Sequence, residues 1–253
     1  MTELELRLGF SVLVGLAITA GVGLAIREYA VARRAGRRSG DKNVRVSLSA
    51  IGPNVVTYVL IAPWWAIVYQ HVAAHAPQTL PMNLATFGLA LLACDLSYYI
   101  EHRCGHRIRF LWRWHHGTHH TADVYNIPLA YRVSFFNQFT SPLFYIPWLL
   151  LGLNPLVVLG FQLFVFHYQA WIHTETVGRL GFLDTVLNTP ASHRMHHSND
   201  PAHQAVNLGG VFLIWDHLFG TYCAPRDKVS YGIANTPPSK TYLGIYLDPW
   251  RRN

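Results

Sequence analysis

Long apolar segments recur through much of the 253-residue sequence, and they are the strongest constraint on its fold. An α-helix needs about 20 mostly apolar residues to cross the hydrocarbon core of a bilayer. Segments near that length occupy residues 8–26, 46–72 and 83–100. Pro53 and Pro63 predict a kink in the second segment. The chain is therefore expected to cross a membrane several times.

A further apolar segment, residues 139–172, is interrupted between Gly152 and Pro155. It fits either two tilted spans or a re-entrant hairpin, and length alone leaves both open. Charged residues make up only 13% of the chain, whereas apolar residues make up 51%. This composition, rich in Trp and Tyr, is typical of membrane proteins. We predict an all-α integral membrane protein with four to five transmembrane helices.

Basic residues concentrate between the first and second apolar segments. Seven of the 20 Lys and Arg residues lie between Arg27 and Arg45. The positive-inside rule places this segment in the cytoplasm, with a contact to anionic lipid head groups as the alternative. No nucleic-acid-binding motif accompanies the net charge of +7, so no nucleic acid partner is expected. The N-terminus then lies outside, and the third segment returns the chain to the cytoplasm.

The polar parts of the sequence fall on the same predicted side. A histidine-rich stretch follows the third span, and the chain is mostly polar from Thr174 onward. Together they are expected to form a cytoplasmic helical cap. The acidic start MTELELRLGF and the lack of a small-residue cleavage site argue against a cleaved signal peptide. The three cysteines form no CxxC pair, so neither a disulfide scaffold nor a thiolate zinc site is expected.

Of the 15 histidines, 13 lie between His102 and His217, and three groups of them have helical spacing. The groups are HRCGH (His102, His106), HGTHH (His116, His119, His120) and HRMHH (His193, His196, His197). Positions i, i+3 and i+4 of a helix share one face, so each group is expected to direct two or three imidazoles at one point. The recurring spacing on one predicted side favours metal ligation over unrelated structural roles.

The number of histidines restricts the kind of metal site. Imidazole binds zinc, copper, iron and nickel, so the ligand type alone does not select the metal. A structural zinc uses four ligands, usually with cysteine, and a bis-histidine haem needs one histidine on each of two helices. Eight or more histidines exceed both requirements and predict two metal ions. An all-histidine dinuclear centre beside a membrane favours non-haem di-iron with oxygen chemistry.

These motifs resemble the fatty acid hydroxylase/sterol desaturase superfamily of membrane di-iron enzymes. The family pattern stands here as DLSYYIEHRCGH, LWRWHHGTHH and NTPASHRMHH, and IWDHLFGTY resembles the segment that follows the last group. With FHYQAWIHTE ahead of that group, the combination is most similar to the alkylglycerol monooxygenase-like branch. The resemblance covers about residues 93–222.

The resemblance implies nine metal ligands. Relative to the common spacing, one residue is inserted before the second group, which makes His115 an alternative to His116. His116 is preferred because it shares a helical face with His119 and His120. The implied ligands are His102, His106, His116, His119, His120, His173, His193, His196 and His197.

Several carboxylates are candidates for orienting these ligands. Asp95 lies seven residues before His102 on roughly the same helical face, and it is predicted to accept an imidazole N–H. Solvation or pairing with arginine is the alternative for each candidate. The other candidates are Glu101, Glu175, Asp184 and Asp216.

The remaining histidines are expected to lie outside the site. His71 and His75 fall in the predicted outer loop. His167 lies in an apolar run, where a buried, hydrogen-bonded role is expected. His203 and His217 follow the last group and are predicted to be surface or supporting residues.

The resemblance implies a membrane-bound non-haem di-iron monooxygenase that hydroxylates a lipid C–H bond with O2. Two iron ions are expected, without a bound flavin or haem. Electrons would come from a separate reductase or a small reductant, such as a pterin by analogy with the alkylglycerol branch. The predicted regions are 1–82 (transmembrane helices and basic loop), 83–223 (catalytic domain) and 224–253 (cytoplasmic tail).

Three alternatives stay open from the sequence. A lipid or sterol desaturase would use the same ligand set. A zinc-dependent membrane hydrolase needs about three ligands and a glutamate base in a motif such as HExxH, which the sequence does not contain. A metal transporter would place its histidines along a path through the spans.

Overall fold

Helices account for the regular structure of the chain. The computed structural model describes residues 3–34, 41–233 and 235–251. Within these residues no β-strand forms, and the only β-type pairing is three isolated bridges. The helices are α1 (Glu3–Arg34), α2 (Asp41–Ser49), α3 (Ile51–Ala73), α4 (Leu84–Arg107), α5 (Arg109–Leu111), α6 (Gly117–His120), α7 (Asn137–Thr140), α8 (Ile146–Leu150), α9 (Pro155–Ile172), α10 (Leu183–Val186), α11 (Pro190–His196), α12 (Ile214–Leu218) and α13 (Tyr242–Arg251). A π-helical turn (Trp112–His116) and 3₁₀ turns (Ile127–Tyr131, Ser141–Tyr145, Pro201–His203) complete the set.

Three helical stretches in the described part are long and apolar enough to cross a membrane. They are Val44–Ala73, Leu84–Arg107 and Pro155–Ile172. The first predicted span falls within α1, a helix of 32 residues, several of whose side chains lie outside the described part. Within α3, Pro63 is internal, whereas Pro53 lies in the first turn, where a missing N–H costs no helical hydrogen bond.

Polar residues set the starts of the helices that carry the histidines. Asn83 caps α4 in a reciprocal pair: its side chain accepts from Thr86 N–H, and Thr86 Oγ1 accepts from Asn83 N–H, both at 3.0 Å. α9 begins with Pro155 after an Asn154 cap. A cap followed by proline recurs at Thr189, before α11. These signals are local in sequence, so hydropathy and capping together locate the helix starts.

Residues 133–152, here called the first arm, run parallel beside α3. At one end the Asn54 side-chain amide donates to Val133 O (3.1 Å), and at the other Leu80 N–H donates to Gly152 O (2.9 Å). Between these ends, Trp65 Nε1–H donates to Gln138 O (3.0 Å) and Tyr69 O–H to Pro142 O (2.8 Å). The first arm therefore follows α3 along its length. α9 begins three residues after its end.

The basic segment and the histidines share one end of the helices. Glu28, near the end of α1, accepts hydrogen bonds from Ile127 N–H (2.9 Å) and Thr174 O–H (2.7 Å). Thr174 directly follows His173. The charge argument predicted this common end. Residues 35–40 of the basic segment, including Arg37 and Arg38, lie outside the described residues.

The helices pack around an apolar core between α3, α4, the first arm and α9. Tyr69, Cys94, Leu149 and Val158 are fully buried there. Large apolar side chains elsewhere on α3, such as Leu60, are exposed, as suits a surface that faces lipid. At the histidine end, α13 packs back on the start of the second span, because Ile245 of the C-terminal region contacts Val46 and Ala50.

Candidate metal centre

Eight imidazoles form two groups of four at the ends of α4 and α9. In each group the nearest ring nitrogens all lie within 4.8 Å of one another. The groups adjoin, because the rings of His120 and His197 stack with centroids 4.5 Å apart. Tetrad one is His102, His106, His120 and His196, and tetrad two is His119, His173, His193 and His197.

The adjacent histidine pairs are divided between the two tetrads. His119 belongs to tetrad two and His120 to tetrad one, and His196 and His197 divide in the same way. Consecutive residues on an α-helix point about 100° apart, so one pair reaches two neighbouring sites. The expectation that each group directs two or three imidazoles at one point holds for the first group and for His193 with His197 of the third, and it is wrong for the second group. Only the first group, His102 with His106, serves a single tetrad.

Backbone carbonyls fix the orientation of four of these rings. A carbonyl oxygen only accepts, so the Nδ1 facing it carries the proton and Nε2 presents its lone pair. This arrangement is typical of metal-binding histidines. The Nδ1–H groups donate from His102 to Leu208 O (3.0 Å), His119 to Leu129 O (3.1 Å), His173 to Gln169 O (2.6 Å) and His196 to Val206 O (2.8 Å).

These tautomers make the site a fit for cations. The Nε2 atoms of His119 and His173 lie 3.2 Å apart. Because both carry lone pairs, no hydrogen bond can join them, and the buried contact is repulsive unless a cation lies between them. His106 Nε2 is likewise buried without a hydrogen-bond partner among the described residues. A set of neutral nitrogen donors suits iron, zinc, copper or nickel.

Burial keeps the cap histidines neutral. It lowers the pKa of His173 to about 4. Burial also lowers the pKa of the others well below the ordinary histidine value, and neighbouring imidazoles lower it further. These others are His119, His120, His193, His196 and His197. Neutral imidazole is the form that binds metal, so the environment favours the ligand state at neutral pH.

His116 lies beside tetrad one but outside it. Its ring centroid is 5.0 Å from that of His102 and 5.3 Å from that of His106. Gly105 makes room for this ring, because a side chain at position 105 would overlap it. Metal ligation by the nine histidines, His116 included, stays a prediction. The side chain of His115 lies outside the described part of the structure.

A π-helical turn leads into the second histidine group and ends at its first member, His116. It spans Trp112–His116 and is closed by the Gly117 N–H, which donates to Trp112 O. A π-turn holds one more residue than an α-turn. It therefore accommodates the inserted residue that the spacing of this group indicated, while α6 keeps His119 and His120 in the two tetrads.

A loop that we call the carbonyl strap, residues 206–212, orients tetrad one. Val206 O receives the Nδ1–H of His196, and Leu208 O receives that of His102. The strap thus aligns a histidine of α4 with a histidine of α11. The strap acts through backbone carbonyls, so the spacing of the histidines does not predict its role.

Two buried carboxylates hold the strap in place. Asp95 accepts from Val211 N–H (2.5 Å) and Trp215 Nε1–H (2.8 Å). Asp216 accepts from Leu208 N–H (2.8 Å). The predicted hydrogen bond from an imidazole to Asp95 is therefore absent among the described side chains, and Asp95 acts on His102 through the strap. Gly210 is needed for this contact, because a side chain there would press on Asp95.

The other candidate carboxylates support neighbouring segments. Asp184 is buried and accepts hydrogen bonds from Thr189 O–H and Leu180 N–H, which fixes the start of α11. Burial raises the pKa of Asp216, and the hydrogen bonds it accepts oppose that rise. Glu175 is exposed and accepts from the Tyr231 hydroxyl (2.9 Å) rather than from any described imidazole.

The remaining histidines divide between surface and support. His75 Nδ1–H donates to His71 O at the end of the helices opposite the site. His167 donates to Leu163 O (2.8 Å) as expected, but it is half-buried and not buried. His203 is only 5% exposed, so a surface position is wrong for it. His217, in contrast, is exposed and donates to the Thr185 carbonyl.

Glu28 is a supporting residue that the motif analysis did not identify. It holds two loops beside tetrad two through Ile127 and Thr174. Its signal in the sequence is a single carboxylate among basic residues at the end of an apolar helix, where an unpaired charge is costly. Because its segment was interpreted as a basic loop, Glu28 was not predicted to contact the site.

A comparison with protein families agrees with this geometry. The sequence profile for fatty acid hydroxylase matches residues 87–221, more than half of the chain. The chain belongs to the fatty acid hydroxylase family. The matched region contains both tetrads and the carbonyl strap. The family resemblance inferred from the histidine motifs is therefore confirmed.

Similar proteins include several lipid-modifying enzymes. Alkylglycerol monooxygenase of Danio rerio is 43% identical over 157 residues, 62% of this chain and 35% of that protein. The Homo sapiens protein is 41% identical over 160 residues, 63% of this chain and 35% of that protein. Ornithine lipid hydroxylase OlsE of Rhizobium tropici is 33% identical over 173 residues, 65% of this chain and 50% of that protein. The chain thus spans about a third of the length of the two alkylglycerol monooxygenases. No solved structure is significantly similar to it.

Replacing one member of an adjacent pair should remove metal from one tetrad only. His119→Ala affects tetrad two, and His120→Ala affects tetrad one, so each variant should lose one of two bound ions. His119→Ala combined with His197→Ala stays within tetrad two and should lose no more than the single variant. His119→Ala combined with His120→Ala should lose both ions, as measured by elemental analysis of the purified protein. Equal metal content in the two double variants would contradict the division.

Acidification should destabilise the metal-free protein. Histidine in an unfolded chain titrates near about 6.5, whereas burial holds the folded His173 at about 4. Between these pH values the unfolded chain binds more protons, so the free energy of unfolding falls as the pH falls from about 6.5 towards 4. Thermal unfolding in detergent, compared at about pH 7.5 and about pH 5, measures this loss of stability. His173→Gln should show a smaller loss, and His75→Gln, at an exposed position, should match the unmodified protein. An identical pH dependence in all three proteins would refute the assignment.

Proposed function

We propose that the chain is a membrane-bound lipid hydroxylase whose two tetrads hold two iron ions and which uses O2 and external electrons. The observation that carries this proposal is the division of the adjacent histidine pairs between adjoining tetrads. One metal ion would need only one of these groups. A hydrolytic zinc site uses about three ligands and a water, so eight converging imidazoles favour a dinuclear oxidation catalyst.

The chain's own residues would position and protect this centre. Iron bound there would supply the activation of O2 that attack on an unactivated C–H bond requires. The carbonyls of Leu129, Val206 and Leu208 keep the imidazole rings in fixed orientations. Burial excludes water and keeps the rings neutral. The fixed ring orientations and the neutral state of the rings would together allow imidazoles alone to hold two cations.

A lipid substrate is supported by the position of the centre and by the relatives. The tetrads lie at the ends of apolar helices, and an adjoining cavity is lined by Phe166, which is 46% exposed on α9. We propose that a lipid in the bilayer reaches the histidines from this side of α9. The named relatives include an alkylglycerol monooxygenase and an ornithine lipid hydroxylase.

The position of the histidines also weighs against a transporter. A transporter would carry ligands along the spans, whereas the eight tetrad imidazoles gather at one end. We propose that electrons come from a separate reductase or a small reductant, for which a pterin is a candidate. Desaturation would use the same residues and differs only in its product.

We propose five membrane crossings: α1, α2 with α3, α4, the first arm, and α9. This count is supported by the apolar helices and by the contacts of the first arm along α3. An odd number of crossings puts the N-terminus and the histidines on opposite sides of the membrane. The basic segment between Arg27 and Arg45 then assigns the side of the histidines and the polar cap to the cytoplasm. We also propose three regions: transmembrane helices with the basic loop (1–82), a catalytic domain (83–223) and a cytoplasmic tail (224–253).

The function is tested with full-length protein loaded with iron in lipid nanodiscs. With a chemical reductant and a membrane lipid extract, O2 consumption should depend on the lipid, and a lipid product should gain one oxygen atom. His120→Ala and His193→Ala should each reduce the rate more than about 100-fold, because each removes a ligand. His217→Ala, at an exposed position, should retain the rate. Activity without O2 in zinc-containing protein would overturn the proposal, and a product lighter by two hydrogens would assign desaturation.

The orientation is tested by labelling single cysteines with a membrane-impermeant reagent. In a cysteine-free background, Cys at Gly40 should be protected in intact cells and labelled after permeabilisation. Cys at Ala76, in the loop between α3 and α4, should be labelled in intact cells. Labelling of the Gly40→Cys variant from outside would reverse the proposed orientation.

A further inference from the structure

Six large apolar side chains on α10, α12 and the residues beside these helices form what we call the apolar patch. Each of them is at least 40% exposed. The two helices adjoin, because Leu213 N–H donates to Val186 O (2.9 Å) and His217 Nε2–H donates to Thr185 O (2.9 Å). The patch consists of Phe182, Leu183, Val186, Ile214, Leu218 and Phe219.

The segments that carry the patch direct no charged side chain to its surface. Residues 180–187 and 208–219 include no Lys or Arg. Their two carboxylates, Asp184 and Asp216, are buried and accept hydrogen bonds from Leu180 N–H and Leu208 N–H. A soluble monomer rarely exposes a contiguous apolar surface of this kind, because contact with water is costly. The patch therefore requires an apolar neighbour.

The chain beside the patch contacts α4 and α9 well within their apolar parts. Val211 N–H and Trp215 Nε1–H donate to Asp95, which lies seven residues before the first metal-centre histidine of α4. A side chain at Gly210 would meet Val165, eight residues before the histidine that follows α9. At a rise of about 1.5 Å per residue, these contacts lie about 10 Å further along the helices than the histidines. The strap and α12 thus lie alongside the spans and not above their ends.

The strap meets the requirement for non-helical backbone at membrane depth. Such backbone occurs there only where protein groups satisfy its hydrogen bonds. Four polar side chains do so for residues 208–212. They are Asp95 for the N–H groups of Val211 and Phe212, Asp216 for those of Leu208 and Gly209, Asn188 for the Gly209 carbonyl and Gln169 for the Gly210 carbonyl.

Arginines lie at the edges of the patch. Arg103 is the first Lys or Arg of α4, and its guanidinium carbon lies 5.9 Å from the centroid of the Phe219 ring. That ring stacks on Tyr99 with centroids 5.4 Å apart. Arg179 shortly precedes Phe182 at the other edge. Apolar residues with arginines at their border match the order of acyl chains and head groups in a bilayer.

We infer that the apolar patch inserts into the leaflet on the histidine side, so that α10 and α12 contact acyl chains beside the spans. Leu92, one turn beyond Asp95 on α4, is 42% exposed, so the lipid-facing surface of the span continues next to α12. At this depth lipid is the neighbour that surrounds an apolar surface. The region that the sequence predicted to be a polar cytoplasmic cap thus includes a membrane-inserted element.

The test uses full-length protein in phosphatidylcholine vesicles, with one bimane-labelled cysteine in a cysteine-free background. The labels are placed at Phe182 and Leu218, because both side chains are exposed and their replacement leaves the core unchanged. Bromine atoms on the acyl chains quench a fluorophore that contacts lipid, whereas iodide quenches one that contacts water.

Lipids brominated near the head group should quench the Phe182→Cys and Leu218→Cys labels about as strongly as a label on Leu92→Cys. Iodide should leave the fluorescence of these labels unchanged. Lys228→Cys is the matched control, because it is exposed on the same polar region but outside the patch. Its label should lose fluorescence with iodide and keep it with brominated lipid.

Two outcomes overturn the inference. Quenching of both patch labels by iodide alone would show that the patch faces water. Protection from both quenchers would show that protein covers it, and a bismaleimide cross-link between two Leu218→Cys chains would identify that protein as a second copy.

Ile214→Cys replaces either patch position if that variant does not fold. The fluorescence measurement involves no turnover, so it is independent of the proposed function. Lipid contact can therefore fail while lipid oxidation stands, and the reverse also holds.

Discussion

Neutral imidazole nitrogens point at one another inside this protein, and the rest of the site depends on that constraint. The lone pairs of His119 and His173 face each other at 3.2 Å in a buried position, where water cannot separate them. Protonating one ring would relieve the contact, but burial opposes the charge and lowers the pKa of both histidines. Cations are then the remaining way to satisfy the nitrogens. The fold must supply the rigidity that keeps these rings from turning away.

That rigidity comes from main-chain carbonyls and from the acids that hold them. Asp95 lies in α4, yet it binds peptide N–H groups of the carbonyl strap in the cap. Glu28 of α1 does the same for loops beside tetrad two. In both cases N–H or O–H groups of the polar region donate to a carboxylate on an apolar helix, and these hydrogen bonds offset the cost of removing the carboxylate from water. The acids therefore couple the apolar helices to the cap, and the metal centre lies at their junction.

Sequence patterns predicted the parts of this structure that depend on local physics. Hydropathy located α3, α4 and α9, because lipid-sized helices need long apolar runs. The histidine spacing identified seven of the eight tetrad histidines, and the family resemblance added His173. The division of His119 from His120 required the actual direction of each side chain, which spacing alone does not give. The carbonyl strap and the role of Asp95 depend on contacts between distant segments and on backbone atoms common to every residue. The first arm is a chain of short helices, so its path along α3 follows from tertiary contacts rather than from periodicity.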